Sequence, residues 1–515
     1  MAHVKRWLFL IHRWLGVLLC AFFAMWFVSG MVMMYVGYPK LTPAERLEHL
    51  PALRAAPVVL EPAQALAAAR LQGPLQDLRL AVAGAGRPVY LATPAQTDPA
   101  AQGKSRRMRQ PRAVVIDAET GAVLARVGEA QALASAAAYA GPDVATRYEG
   151  QLDEDAFTHS RALDAHRPLH RVRLGDAQDT VVYVSGRTGE VVRDATRSER
   201  LWNYAGAWIH WLYPLRGNVF DAYWADIVNG LSILGIAVTL LGAVVGVLRW
   251  RFAGRYKSGR RTPYPGAMMR WHHATGLVFA AITLTWIFSG LMSMNPWRIF
   301  DSGAAPLRLE SMHGGPLTLP ERPATAQALL AAAPADVREL RWTRTAGHTL
   351  VQALAPGHAP MLLDAATARA HHWQSGELEA AARRLLPDPV ARMETLHAYD
   401  SHYYSRAAHT MSGGADKPLP VLRVVFADAE ASWVHVDPHT GAVLGRIDGH
   451  RRLSRWLFGM LHSWDWLPLL SRRPLWDGVM IALSLGGAAL SLTAVVIGWR
   501  RLRRRLGPRA APARP

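Results

Sequence analysis

Cysteine is almost absent: Cys20 is the only one among 515 residues. An intramolecular disulfide is therefore impossible, and there is no Cys-x-x-Cys-His for covalent c-type haem and no cysteine-based zinc site. Cys20 lies inside an apolar run, where a small packing residue is expected. Charge is scarce too, at 19% of residues. Paired-carboxylate, Ser-His-Asp, His-Glu-x-x-His and phosphate-loop signatures are missing, as is any flavin or nicotinamide motif. The chain offers no hydrolytic or nucleotide-binding machinery of a familiar kind.

What acid there is avoids three segments. Lys5, Arg6 and Arg13 flank the first apolar run. Arg249 to Arg270 holds seven basic residues, and the stretch after Ile497 holds seven arginines, both without an acid. These segments account for nearly all of the net charge of +19. A nucleic-acid surface is thus not the economical reading of a pI near 10.6. Between them run four apolar stretches, roughly Trp14–Val36, Ile227–Leu248, Ala274–Met294 and Val479–Ile497. Each has the roughly 20 residues that a helix needs to cross a bilayer core. Four crossings put all three basic segments on one side, as the positive-inside rule requires. Both termini are then expected in the cytoplasm of a bacterial inner membrane, and regions 38–225 and 296–476 in the periplasm. The first run lacks a small-residue cleavage site and reads as a retained helix.

The chain also repeats itself. His12-Arg-Trp-Leu-Gly16 recurs as His272-His-Ala-Thr-Gly276, and the same offset of 260 pairs Trp26 with Trp286, Ser29 with Ser289 and Gly30 with Gly290. An offset of 252 pairs His210 with His462, Trp224 with Trp476 and Ser232 with Ser484. Two tandem units are expected, each a span, an external domain and a second span. Within the domains an Asp- or Ser-led hairpin signal recurs at Val115–Leu124, Val181–Val191 and Val434–Leu444. A degenerate copy at Leu362–Ala368 lacks the glycine. Alanine-rich stretches add helix, giving α+β external domains.

Ionisable residues at the ends of spans are functional candidates, because burying them unpartnered is costly. His12 and His272 sit at the cytoplasmic mouths of spans 1 and 3. His210 and His462 sit before spans 2 and 4, on the periplasmic side, in tryptophan-rich interfacial sequence. Two neutral imidazoles opposed across a bundle can hold a b-type haem iron from both sides. Two such pairs would supply a carrier near each face. His273 stands beside His272 and leaves that ligand open. His159, His166, His170, His397, His402 and His409 read as fold-buttressing residues or as a site for a periplasmic iron complex.

The His-x-x-x-Gly openings, the Ser-Gly of spans 1 and 3, and the stretches His397–Arg406, Lys417–Arg423, Val436–Val443 and Arg455–His462 resemble the PepSY-associated transmembrane family. The resemblance covers nearly the whole chain. It implies a four-helix transmembrane bundle with two periplasmic α+β PepSY-like domains. The expected division is helix 1 in 1–37, domain 1 in 38–225, helix 2 in 226–249 and a cytoplasmic loop in 250–271. Helix 3 follows in 272–295, domain 2 in 296–476, helix 4 in 477–499 and a basic tail in 500–515. It further implies two haem b groups on His12, His272 or His273, His210 and His462. Electrons would pass from a separate cytoplasmic or quinol donor to a periplasmic acceptor such as a ferric siderophore. The competing expectations are a non-redox siderophore or metal transporter, which would want broken helices, and a periplasmic binding or regulatory protein. Membrane lipid is a partner on every reading, and nucleic acid on none.

Overall fold

The computed structural model describes residues 2–55, 60–95, 112–406 and 417–506. Among the described residues four helices are long and apolar enough to cross a membrane: Ala2–Met33, Trp224–Arg249, Ala267–Ser293 and Arg473–Leu506. The first and last continue beyond their apolar stretches into the basic flanks, since arginine and lysine are good helix formers. The first span packs against the second and fourth, and the third packs against the same two, so spans 1 and 3 face each other diagonally. Leu19, Phe23, Phe27, Val238, Ile287 and Ala488 form the bundle core. Leu18, Val247 and Val278 point outward and are exposed, as lipid-facing residues should be. Gly486 and Gly487 let the rings of Phe279 and Phe27 press onto the fourth span, where any Cβ would collide.

Outside the bundle, fourteen strands among the described residues form three antiparallel sheets. The first comprises β1 (Leu75–Gly84), β2 (Arg87–Pro94), β3 (Val114–Asp117), β8 (Glu339–Thr345), β9 (His348–Leu354) and β10 (Met361–Asp364). Its order is β10-β9-β8-β1-β2-β3, so the early part of each extramembrane region contributes half of one sheet. The halves meet where β1 pairs with β8, Leu78 opposite Trp342 and Leu80 opposite Leu340. Leu78, Leu80, Tyr90, Trp342 and Leu363 fill the core on one face. On the other, Arg79 donates to Glu190 from Nη1 and Nη2 at 3.0 and 3.2 Å, and Arg46 donates to Glu339 at 2.6 Å. Burial opposes ionisation of Glu190, but Arg79 and then Arg46 override it and pull the carboxyl down to about 2.

The remaining strands make two four-stranded sheets. One is β4 (Thr146–Leu152), β5 (Leu169–Leu174), β6 (Val181–Ser185) and β7 (Val191–Ala195), packed on the helix Glu129–Ala140. The other is β11 (Val390–Leu396), β12 (Val421–Phe426), β13 (Trp433–Val436) and β14 (Val443–Ile447), packed on Glu377–Ala382.

All four hairpin signals fold alike. The lead side chain of each turn, Asp117, Ser185, Asp364 or Asp437, accepts backbone N–H groups two or three residues on. Four residues after it comes a left-handed position, occupied by Gly121, Gly189 and Gly441 at φ 72–75°. The degenerate copy reaches the same place with Ala368 at φ 55°. The Asx turn therefore dictates the geometry, and glycine only makes it cheaper.

Candidate functional site

His12 and His272 lie at the terminal-side end of the bundle, on diagonally opposed spans. Their ring centroids are 6.4 Å apart and their planes 29° apart. Each is oriented by a neighbouring helix: His12 Nδ1 meets the Val238 carbonyl at 3.1 Å, and His272 Nδ1 meets the Leu490 carbonyl and Thr493 Oγ1, both at 3.3 Å. A carbonyl only accepts, so Nδ1 carries the hydrogen in each ring and Nε2 keeps its lone pair. A cavity of about 1240 Å³ opens between the helices here. It is lined by both histidines, by Gly16 and Gly276, and by arginines including Arg6, Arg13, Arg249 and Arg500. Gly242 is required beside it, because a Cβ there would stand 2.6 Å from His12 Cε1.

His210 and His462 form a second pair at the domain-side end, centroids 6.2 Å apart and planes 76° apart. Each follows a short π-helical turn, Tyr204–Trp208 and Arg455–Gly459, a distortion frequent at functional sites. Ser29 and Ser289 orient them: each serine hydroxyl contacts Nδ1 at 3.0 Å. Ser29 Oγ donates to the Met25 carbonyl at 2.7 Å and Ser289 Oγ to the Trp286 carbonyl at 3.0 Å. With its proton committed, each serine oxygen is an acceptor, so Nδ1 is again the donor and Nε2 the free nitrogen. Gly30 and Gly290 sit against the rings, their missing Cβ atoms 3.6 and 3.7 Å from the imidazole Cε1. The repeat pairs Ser29/Ser289 and Gly30/Gly290 were visible in the sequence; their service to the histidines was not.

His273 is differently placed. Its Nδ1 is 2.8 Å from Thr262 Oγ1 and its Nε2 is 2.9 Å from the Gly246 carbonyl, so both nitrogens are engaged and it braces the loop between spans 2 and 3. Among the other histidines, His170 bonds Tyr148 and the Val127 carbonyl, His166 bonds Ser185, and His159 bonds the Glu154 carboxylate. His397 is exposed, His402 packs edge-on against Trp433, and His409 lies outside the described residues. Burial, then Arg423, pushes His435 down to about 3, so this neutral ring accepts from Arg423 Nε at 2.9 Å.

One polar cluster adjoining the second pair was not singled out from the sequence. Asp465, 1% exposed, accepts from Arg406 Nη1 at 2.6 Å and from Tyr404 Oη at 2.7 Å. Its carbonyl accepts from Arg455 Nη2 at 2.9 Å.

A comparison with curated proteins finds no match. The model of the PepSY-associated TM region matches residues 9–373, a stretch that contains most of the first span, all of the second and third, both histidines of the terminal-side pair and His210. With most of its length matched by that model, the chain belongs to the PepSY-associated transmembrane family.

Proposed function

We propose that this protein is a di-haem b oxidoreductase of the bacterial inner membrane, built as two tandem span–domain–span units. It would move electrons from the cytoplasmic side to a periplasmic acceptor, most suitably a ferric siderophore or another Fe(III) complex. The observation that carries this reading is the paired imidazole geometry. Two imidazole nitrogens each about 2 Å from one iron place their ring centroids about 6 Å apart. The two pairs stand at 6.4 and 6.2 Å, and in all four rings Nδ1 is the bonded donor and Nε2 is free.

The residues fit the group in other respects. Two nitrogens per pair are too few to hold a bare metal ion, so the metal would arrive in a group that supplies its other ligands. Gly16 leaves open space at the terminal-side pair, with nothing within 4 Å of where a Cβ would stand, and the arginines around the cavity suit the two propionates of a haem. His272, rather than His273, is the ligand on this reading. Bound haem supplies a one-electron carrier near each face, and one electron delivered to a chelated Fe(III) converts it to the less tightly oxygen-bound Fe(II). The chain's own part is to orient the rings, keep Nε2 unprotonated and exclude water. The basic flanks favour a cytoplasmic terminal side, by the positive-inside rule. A transporter would favour broken helices, whereas the four spans here are continuous.

The test is an absorption spectrum of the detergent-purified protein before and after dithionite. Sharp reduced α and Soret bands with two haems per chain are expected, and His12→Ala and His462→Ala should each remove one. A colourless, folded preparation overturns the reading.

A further inference from the structure

The second histidine pair has unequal surroundings. Past His210 come aromatic side chains: Trp211 and Tyr213 lie 5.3 Å apart and Tyr213 and His159 5.0 Å apart, between ring centroids. Past His462 comes the buried Asp465 cluster. Asp465 lies three residues beyond His462, and Arg455 opens the π-helical turn that leads into it. Gly459, one turn before His462, packs directly on the cluster: a Cβ there would lie 3.4 Å from Arg455 Nη1 and 3.6 Å from Asp465 Oδ2. Arg455 also holds the Ser401 carbonyl and the Tyr404 hydroxyl, while Arg406 covers the face of Trp476, whose Nε1 donates to the Ser463 carbonyl at 3.0 Å. Both sides of the His462 turn are thus tied to segment 401–406. Burial, then Asp465, pushes the Tyr404 phenol up, so it stays a neutral donor. The ions are one carboxylate and guanidiniums in a dry site, where charge acts over longer distances than in water.

We infer that Asp465, with Arg406 and Arg455, is a positioning and tuning cluster: it fixes the His462 turn and sets the reduction potential of the iron shared by His210 and His462. The inference rests on the di-haem reading. A negative charge near an iron favours the Fe(III) state and a positive charge favours Fe(II). Removing Asp465's charge should therefore raise the potential of the domain-side haem, and removing Arg406's should lower it. A unit charge about 10 Å from an iron, at an effective dielectric near 20, alters its reduction equilibrium by roughly tenfold, or about 59 mV for one electron.

The experiment is a potentiometric titration of both haems in the full-length protein, with the domain-side haem identified as the one lost in His462→Ala. Asp465→Asn is expected to move that haem up and Arg406→Gln to move it down, each by about tenfold in the reduced-to-oxidised ratio at fixed poise, with the other haem unmoved. Loss of the domain-side haem alone in Asp465→Asn also supports the inference, as failed positioning. Tyr404→Phe removes one hydrogen bond without a charge, and should shift the potential far less than either. Shifts of the same sign, no shift, equal movement of both haems, or loss of both together would overturn the cluster's role. Unaltered protein without haem overturns the di-haem reading itself; two haems with unmoved potentials overturn only the cluster.

Discussion

The two histidine pairs reach nearly the same spacing by different means. At the terminal side, both rings sit on long membrane-spanning helices, and main-chain carbonyls of Val238 and Leu490 orient them. At the domain side, both rings sit on short segments after π-helical turns, and the hydroxyls of Ser29 and Ser289 orient them. A carbonyl in a continuous helix is supplied by the fold whatever the side chain, so no substitution at positions 238 or 490 deletes it. A serine hydroxyl can be deleted by one substitution. The first pair is therefore protected by architecture, the second specified by sequence. The ring planes differ too, 29° apart at one end and 76° at the other.

On the di-haem reading the largest expected effect separates the adjacent histidines: His272→Ala should abolish the terminal-side haem, while His273→Gln should keep both haems, counted by reduced-minus-oxidised spectra. Should His273→Gln lose that haem and His272→Ala retain it, the assignment reverses. Next comes steric exclusion. Gly242→Val drives a side chain into His12, an overpacking cost of about 1–3 kcal/mol, and should empty the terminal-side site while sparing the other. Smaller again, Ser29→Ala and Ser289→Ala remove the partner of an imidazole that binds iron on the di-haem reading, and loss of such a partner typically costs about 10–100-fold in affinity. Haem retention on dilution should fall at the domain side only, and equal loss at both ends would break the contrast drawn above. Least of all, Thr493→Val deletes one of two acceptors of His272 but leaves the Leu490 carbonyl. Less than about a threefold change is expected, and a change as large as that of the serine variants would show that hydroxyls matter at both ends.

Apolar length and basic flanks made the four spans legible, because a bilayer constrains both. The histidines stood out because ionisable groups at span ends need a reason. Which of His272 and His273 faces His12 was not legible: the deciding partners, Thr262 and the Gly246 carbonyl, lie across a loop, and one of them is main chain. The Asp465 cluster was hidden for a similar reason. Arg406 and Tyr404 lie within a stretch that carried the family resemblance, but their partner is about sixty residues on and ordinary in its local sequence. The hairpin at Asp364 was readable as degenerate, yet Ala368 takes the left-handed conformation all the same. The lead aspartate rather than the glycine was the informative residue. The joining of β1 to β8 left no local trace, since antiparallel pairing across such a separation is decided by register and core shape.

That joining also bears on how the chain is made. Asp77 and Arg341, 264 positions apart, are bonded across the seam at 2.9 Å. A nascent chain that has emitted β1, β2 and β3 has only half a sheet, and β1 offers a row of unpaired N–H and C=O groups as a sticky edge. The complement cannot arrive until the second and third spans have threaded the membrane. During that interval the first half is vulnerable to pairing with the wrong partner, including its twin on a neighbouring nascent chain. Biogenesis, more than the finished molecule, is where this architecture is fragile. Two halves made as separate polypeptides, divided in the 250–266 loop, should accumulate only when produced together.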